Sequence, residues 1–159
     1  MASRQSKVES LDEEANHVIE EARMVLPGIQ ALFGFQLIAV FNERFEADLT
    51  PWEQWLHFGA IVFTVVSIAL IMAPAAYHRQ AERGLVSAYF VDFASSLLTW
   101  AMTPLLLAIT LEIFVISKLI AKDNGVGICT AAIVFALFAW LWFVFPRLRA
   151  KRRSVRQKN

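Results

Sequence analysis

The chain has 159 residues, 57% of them hydrophobic and 18% charged, with a mean hydropathy of +0.51. Ordinary soluble domains hold nearer ~45–50% apolar residues. The 15 bases and 14 acids almost cancel but crowd the ends and a few short gaps, and the apolar stretches between them approach or exceed the ~18 residues of a membrane span. Four spans at this length exclude a second globular domain, a Rossmann unit or a nucleotide-binding loop.

Residues 1–25 carry six acids and three bases. Ser10-Leu11-Asp12-Glu13 has the form of a capping box, and Leu11, Ala15, Val18, Ala22 and Val25 draw an apolar stripe on an acidic helix. Membrane-surface helices are usually basic on their polar side, so this one is expected to pack on protein. The segment lacks the basic region, short apolar core and small-residue site of a cleaved signal, and is expected to stay on the protein.

Span 1 is predicted over Val25–Asn42, with Pro27 near its start and Gln30, Gly34 and Gln36 as its unusual interior residues. Small residues at 31 and 34 beside the Gln30 amide suit close helix approach and an interhelical hydrogen bond. An aqueous turn follows, holding four acids and one base from Glu43 to Glu53. It ends in Thr50-Pro51-Trp52-Glu53, an N-cap, a first-turn proline and an acid three residues after the cap. Trp52 and Trp55 are expected as interfacial anchors, with His57 beside them at the boundary, and span 2 over about His57–Ala76. Pro74 predicts a kink, and His78, Arg79 and Arg83 a short extension to a C-cap at Gly84. Span 3 is predicted over about Phe90–Ala121, closed by the turn Asp123-Asn124-Gly125. Span 4 follows over about Val126–Pro146 with six aromatic residues from Phe135 to Phe145, and the lone Cys129 reads as a small packing residue within it. The tail 147–159 carries seven bases and no acid.

With both termini inside, twelve Lys and Arg lie in the inner connections and three in the outer ones. That predicts cytoplasmic termini. The expectation is an all-α protein: a four-transmembrane-helix bundle (25–146) with an amphipathic N-terminal helix in an acidic cytoplasmic leader (1–24) and a basic C-terminal tail (147–159).

Glu21-Ala-Arg-Met-Val-Leu-Pro-Gly-Ile-Gln30, the pair Arg44-Phe45, and Ala73-Pro-Ala-Ala-Tyr-His-Arg79 together resemble an uncharacterised bacterial family of small membrane proteins. That family is a domain-of-unknown-function family, some members of which carry an automatic sodium:proton antiporter label. The resemblance covers about residues 20–121 and implies a multi-pass protein of the bacterial inner membrane, without an established mechanism. Alternating-access exchangers usually need inverted repeats and broken helices, which an oligomer of so short a chain would have to supply.

In span 3, Asp92, Ser96, Thr99, Thr103, Thr110 and Ser117 fall within about a 60° sector of one helix face. Such a seam suits a hydrated cation path with Asp92 at its inner mouth, or else hydroxyls that bond the backbone and glue helices together. Glu112 lies on the opposite face, about 30 Å along the helix from Asp92. Buried, it would exchange a proton or form a ring between subunits; at the boundary it would reach water or pair with Lys118. At the other end, Glu21 and Arg23 are expected level with His78 and Arg79, as a static charge cluster or a pH gate. The acidic leader and basic tail, on one side, either dock on each other or leave the tail to grip anionic lipid.

No Ser-His-Asp series, phosphate loop, metal-ligand pair or nucleic-acid motif appears, so no enzyme activity, cofactor, metal or nucleic-acid partner is expected. Two functions remain. One is a cation or proton channel or transporter working as a homo-oligomer in the lipid bilayer. The other is a non-catalytic accessory or scaffold subunit that docks a membrane-protein partner through span 4 and the charged ends.

Overall fold

The structure, a computed structural model, describes residues 2–81 and 87–156, with side chains for 11, 13–81 and 87–151. Among the described residues there is no strand: the chain is all-α. Its elements are α1 (Ala2–Val40), the short α2 (Arg44–Asp48), α3 (Pro51–Ala81), α4 (Ala88–Ala121), α5 (Asn124–Ala139), a π-helical turn (Trp140–Val144) and α6 (Phe145–Arg156). Among the described residues, four stretches are long and apolar enough to cross a membrane: Glu13–Val40, Pro51–Ala81, Ala88–Ala121 and Asn124–Lys151. This is a multi-pass membrane protein.

Several predicted boundaries shift. α1 passes through Ser10 without a break, so the sequence there is no helix start, and leader and span 1 are one rod of 39 residues, about 58 Å long at 1.5 Å per residue. Pro27 lies inside this rod and not at a helix start, so its missing N–H falls within the helical ladder. The Gly84 cap, with Glu82 and Arg83, lies outside the described residues. After α4 the chain reverses in two residues. Lys122 takes a left-handed φ of 55° and its N–H donates to the Lys118 carbonyl, while the Asp123 carboxylate accepts from the Val126 N–H at 2.9 Å. The last span therefore starts at Asn124, and the π turn in its aromatic run continues into the basic helix.

By its packing the chain divides into two units, Met1–Phe41 with Ile61–Leu105 and Asn42–Ala60 with Leu106–Asn159. In the first, Ala15, Phe90 and Ala94 form a buried cluster on which Val18, Tyr77 and Val91 pack. Ala15 and Val18 of the acidic helix's stripe thus pack on protein, whereas Val25 at its end is exposed, and the acids Glu13, Glu14, Glu20 and Glu21 point outward. Span 1 buries Ile29 and Gln36, whereas Gln30 is exposed and a Cβ at Gly34 would meet nothing within 4 Å. The amide drawn inside is therefore Gln36, one heptad from Ile29, and not Gln30.

In the second unit α5 crosses α4 closely. A Cβ at Gly127 would lie 3.1 Å from the Lys118 Cβ and 3.2 Å from the Phe114 carbonyl oxygen, so a side chain there would push the two helices apart by a few tenths of an ångström. The rest of the last span is largely uncovered. Only 6% of its window is buried, against 28% in α3 and in α4. Cys129 is exposed, which overturns its reading as a packing residue.

Candidate functional site

α3 presents one face at strict three-and-four spacing: Glu53, His57, Ala60, Thr64, Ser67 and Ile71 are all buried. A 3.5-residue repeat is the ordinary seam of a packed helix, but its residues are ordinarily apolar. Here four of the six are polar or ionisable. In α4 the buried residues Phe90, Ala94, Ala101, Leu105, Ala108, Glu112 and Val115 keep the same spacing. This face lies opposite the Ser/Thr seam, as the sequence places it.

The site lies in the second unit. Its frame is the start of α3, where the capping box forms in full. The Thr50 N–H and hydroxyl both donate to Glu53 Oε2, at 2.7 and 2.6 Å, and the Glu53 N–H donates to Thr50 Oγ1 at 3.4 Å. The other Glu53 oxygen meets Lys118 Nζ at 2.6 Å. One turn further along α3, His57 Nδ1 stands 3.1 Å from one Glu112 oxygen and 3.0 Å from the other. Its ring also meets Phe45 edge to face, with centroids 5.3 Å apart. His57 is 4% exposed and Glu112 7%.

His57 corrects the sequence reading, and Glu112 decides between its two alternatives. His57 is not an interfacial residue, because the α3 register turns it inward while Trp52 and Trp55, at 68% and 67% exposure, take the outward positions. Glu112 is buried, but its counter-group is His57, and Lys118 pairs with Glu53 instead. His57 lies six residues inside the start of α3 and Glu112 nine before the end of α4. They are therefore about 9 and ~14 Å along their helices from the chain's turns.

Burying ionisable groups inside a membrane span carries a large desolvation cost unless they are paired. Here two acids, one lysine and one histidine alternate along the cluster: Lys118 on Glu53, His57 on Glu112. A doubly charged His57–Glu112 pair compensates its own charge, and so does a neutral pair with the proton moved to the carboxylate. The pair can therefore hold a proton on either partner without leaving a net charge in the apolar interior.

The predicted seam fares differently. Asp92, Ser96, Thr99 and Thr103 are exposed, while Thr110 and Ser117 are half-buried. Thr99 and Thr110 donate to the carbonyls of Ser95 and Leu106 in their own helix. One hydroxyl that reaches across helices is Ser67 Oγ, which donates to the Ala101 carbonyl at 2.9 Å. Pro104 removes the N–H that would bond the neighbouring Trp100 carbonyl, so Ser67 supplies a donor beside the loosened turn. At the opposite end, Glu21, Arg23 and Arg79 are exposed, and among the described residues no ion pair joins them. His78 is half-buried beside Phe90, ring centroids 5.1 Å apart, with no hydrogen bond at Nδ1.

Residues 4–146 match a family of unknown function, DUF6328. The chain belongs to this family. The match takes in the acidic leader and the aromatic last span, both beyond the stretch from 20 to 121 that carries the resemblance in the sequence. Neither a curated protein nor a solved structure matches this DUF6328 chain.

Signals for Glu53, His57, Thr64 and Ser67 were present in the sequence as a three-and-four polar repeat beginning at a strong helix start. A polar repeat has no sign of direction, however. The α4 seam has the same form and faces outward.

Proposed function

We propose that this DUF6328 protein moves protons or other small cations across the bacterial inner membrane, without enzyme activity, as a homo-oligomer with both termini cytoplasmic. The observation that carries this reading is the His57–Glu112 pair, an imidazole and a carboxylate at 3.0 Å, both more than nine-tenths buried in spans. Intramembrane ionisable pairs mark ion and proton pathways. The capped, acid-rich outer turn supports it, because exposed Glu43, Glu46 and Asp48 concentrate cations at that end. The orientation rests on the excess of Lys and Arg in the inner connections. The outward seam from Asp92 to Thr103 serves in this reading as a contact between copies, where hydroxyls commonly glue helices.

The test is reconstitution of the purified protein into liposomes, with flux followed under H⁺, Na⁺, K⁺ and Cl⁻ gradients at two pH values. Selective flux that H57F and E112Q abolish is the expected result. Flux of wild-type size in both variants removes the pair from the mechanism.

A second reading, an accessory subunit of a larger membrane complex, is favoured by the last span. Phe135, Leu137, Trp140, Leu141 and Phe145 are all exposed on it, and Arg147, Arg149 and Lys151 follow on the same helical rod. A second protein that co-purifies from native membranes, and is lost on altering those aromatic residues, would favour it over transport.

A further inference from the structure

We propose that Lys118 is a tethered cation: its ammonium fills the place beside Glu53 that a sodium or potassium ion would otherwise take, and so reserves the neighbouring His57–Glu112 pair for protons. The inference rests on the transport reading above and names its selectivity. Three observations carry it. First, Glu53 is a carboxylate 4% exposed at its side chain, with one oxygen held by Thr50 and the other by Lys118 Nζ at 2.6 Å. Second, Glu53 and His57 occupy successive turns of the same buried face of α3, with Glu53 the nearer to the helix start. Third, the lysine stem is fixed. Its Cβ lies under Gly127, its carbonyl is taken by the Lys122 N–H, and its side chain is only 25% exposed.

The chemistry of discrimination follows. A metal ion must exchange its hydration shell for protein oxygens, and therefore needs a carboxylate with a vacant coordination position. The ammonium already occupies that position as a compact point charge with three donors. A proton needs no vacancy, since it transfers along hydrogen bonds. Neutralising Lys118 leaves a buried carboxylate without its counter-charge, which a small mobile cation then compensates.

The experiment uses the full chain in mild detergent. Thermal unfolding of wild type, K118R, K118Q and E53Q/K118Q is followed while sodium or potassium chloride replaces choline chloride at constant ionic strength. K118Q is expected to gain a saturable sodium- or potassium-dependent rise in Tm, with apparent affinity at least about tenfold above any wild-type response. K118R should stay as unresponsive as wild type, and E53Q/K118Q should lose the gained response. A K118Q protein that responds no more than wild type, or that is recovered folded in neither sodium nor choline, overturns the proposal. So does a response that persists in E53Q/K118Q. Liposome proton flux of the wild type is read separately. Its absence would remove the transport reading, while the salt titration still decides whether Lys118 stands in for a mobile cation.

Discussion

Replacing His57 and Glu112 singly and together measures the central pair directly. Each is more than nine-tenths buried, and His57 Nδ1 lies within 3.1 Å of both Glu112 oxygens. H57L leaves the carboxylate in an apolar interior without its counter-group. Such losses cost about 3–5 kcal/mol in soluble proteins, whereas interhelical hydrogen bonds in membrane bundles average ~0.6 and reach ~1.7 kcal/mol. A loss of about 2–4 kcal/mol is therefore expected for H57L, and a similar one for E112L, which strands the imidazole. H57L/E112L removes both polar groups and refills the space with side chains that suit the membrane. It should cost less than the sum of the singles, with a coupling of at least about 1.5 kcal/mol. E112Q keeps an acceptor for the ring N–H and should lose only about 1 kcal/mol while still abolishing flux. The assay is reversible unfolding by SDS in mixed micelles, followed by far-ultraviolet circular dichroism and the fluorescence of the five tryptophans. Additive single effects, with a coupling below about 0.5 kcal/mol, would show that the two groups do not hold each other and would refute the reasoning.

Three further outcomes are expected. G127A drives a methyl to 3.1 Å from the Lys118 Cβ and 3.2 Å from the Phe114 carbonyl oxygen. A helix carbonyl cannot yield freely, so a loss of about 1–3 kcal/mol is expected in the same SDS titration, and a neutral result would mean that α5 simply moves away. F90A empties the cluster under the acidic helix, where Phe90 is 2% exposed beside Ala15 and Ala94. It should cost about 3–5 kcal/mol and speed amide exchange across residues 13–18, whereas unchanged protection there would show that the leader is held by something else. D92N turns a charge on the exposed face of α4 and should leave proton flux at the wild-type level in liposomes, while a large loss would return the pathway to that seam.

Sequence alone determined that this chain holds four helices long and apolar enough to cross a membrane, because hydropathy and the length of an apolar run are sums over neighbours and need no tertiary partner. It also determined the start of α3, since a capping box is closed within four residues, and the protein-facing stripe of the leader, since an acidic polar face is unsuited to anionic lipid. The match of residues 4–146 to DUF6328 agrees with the family resemblance read from three short strings. The tertiary structure decided rotation. Polar repeats run along both α3 and α4, and the fold buries the first while leaving the second exposed from Asp92 to Thr103. Helical periodicity fixes which residues share a face but carries nothing about what that face meets. The partners were decided in the same way. His57 and Glu112 are 55 residues apart, so their pairing follows from the relative register of α3 and α4. That register is set by packing summed over both helices, and no local pattern near either residue records it.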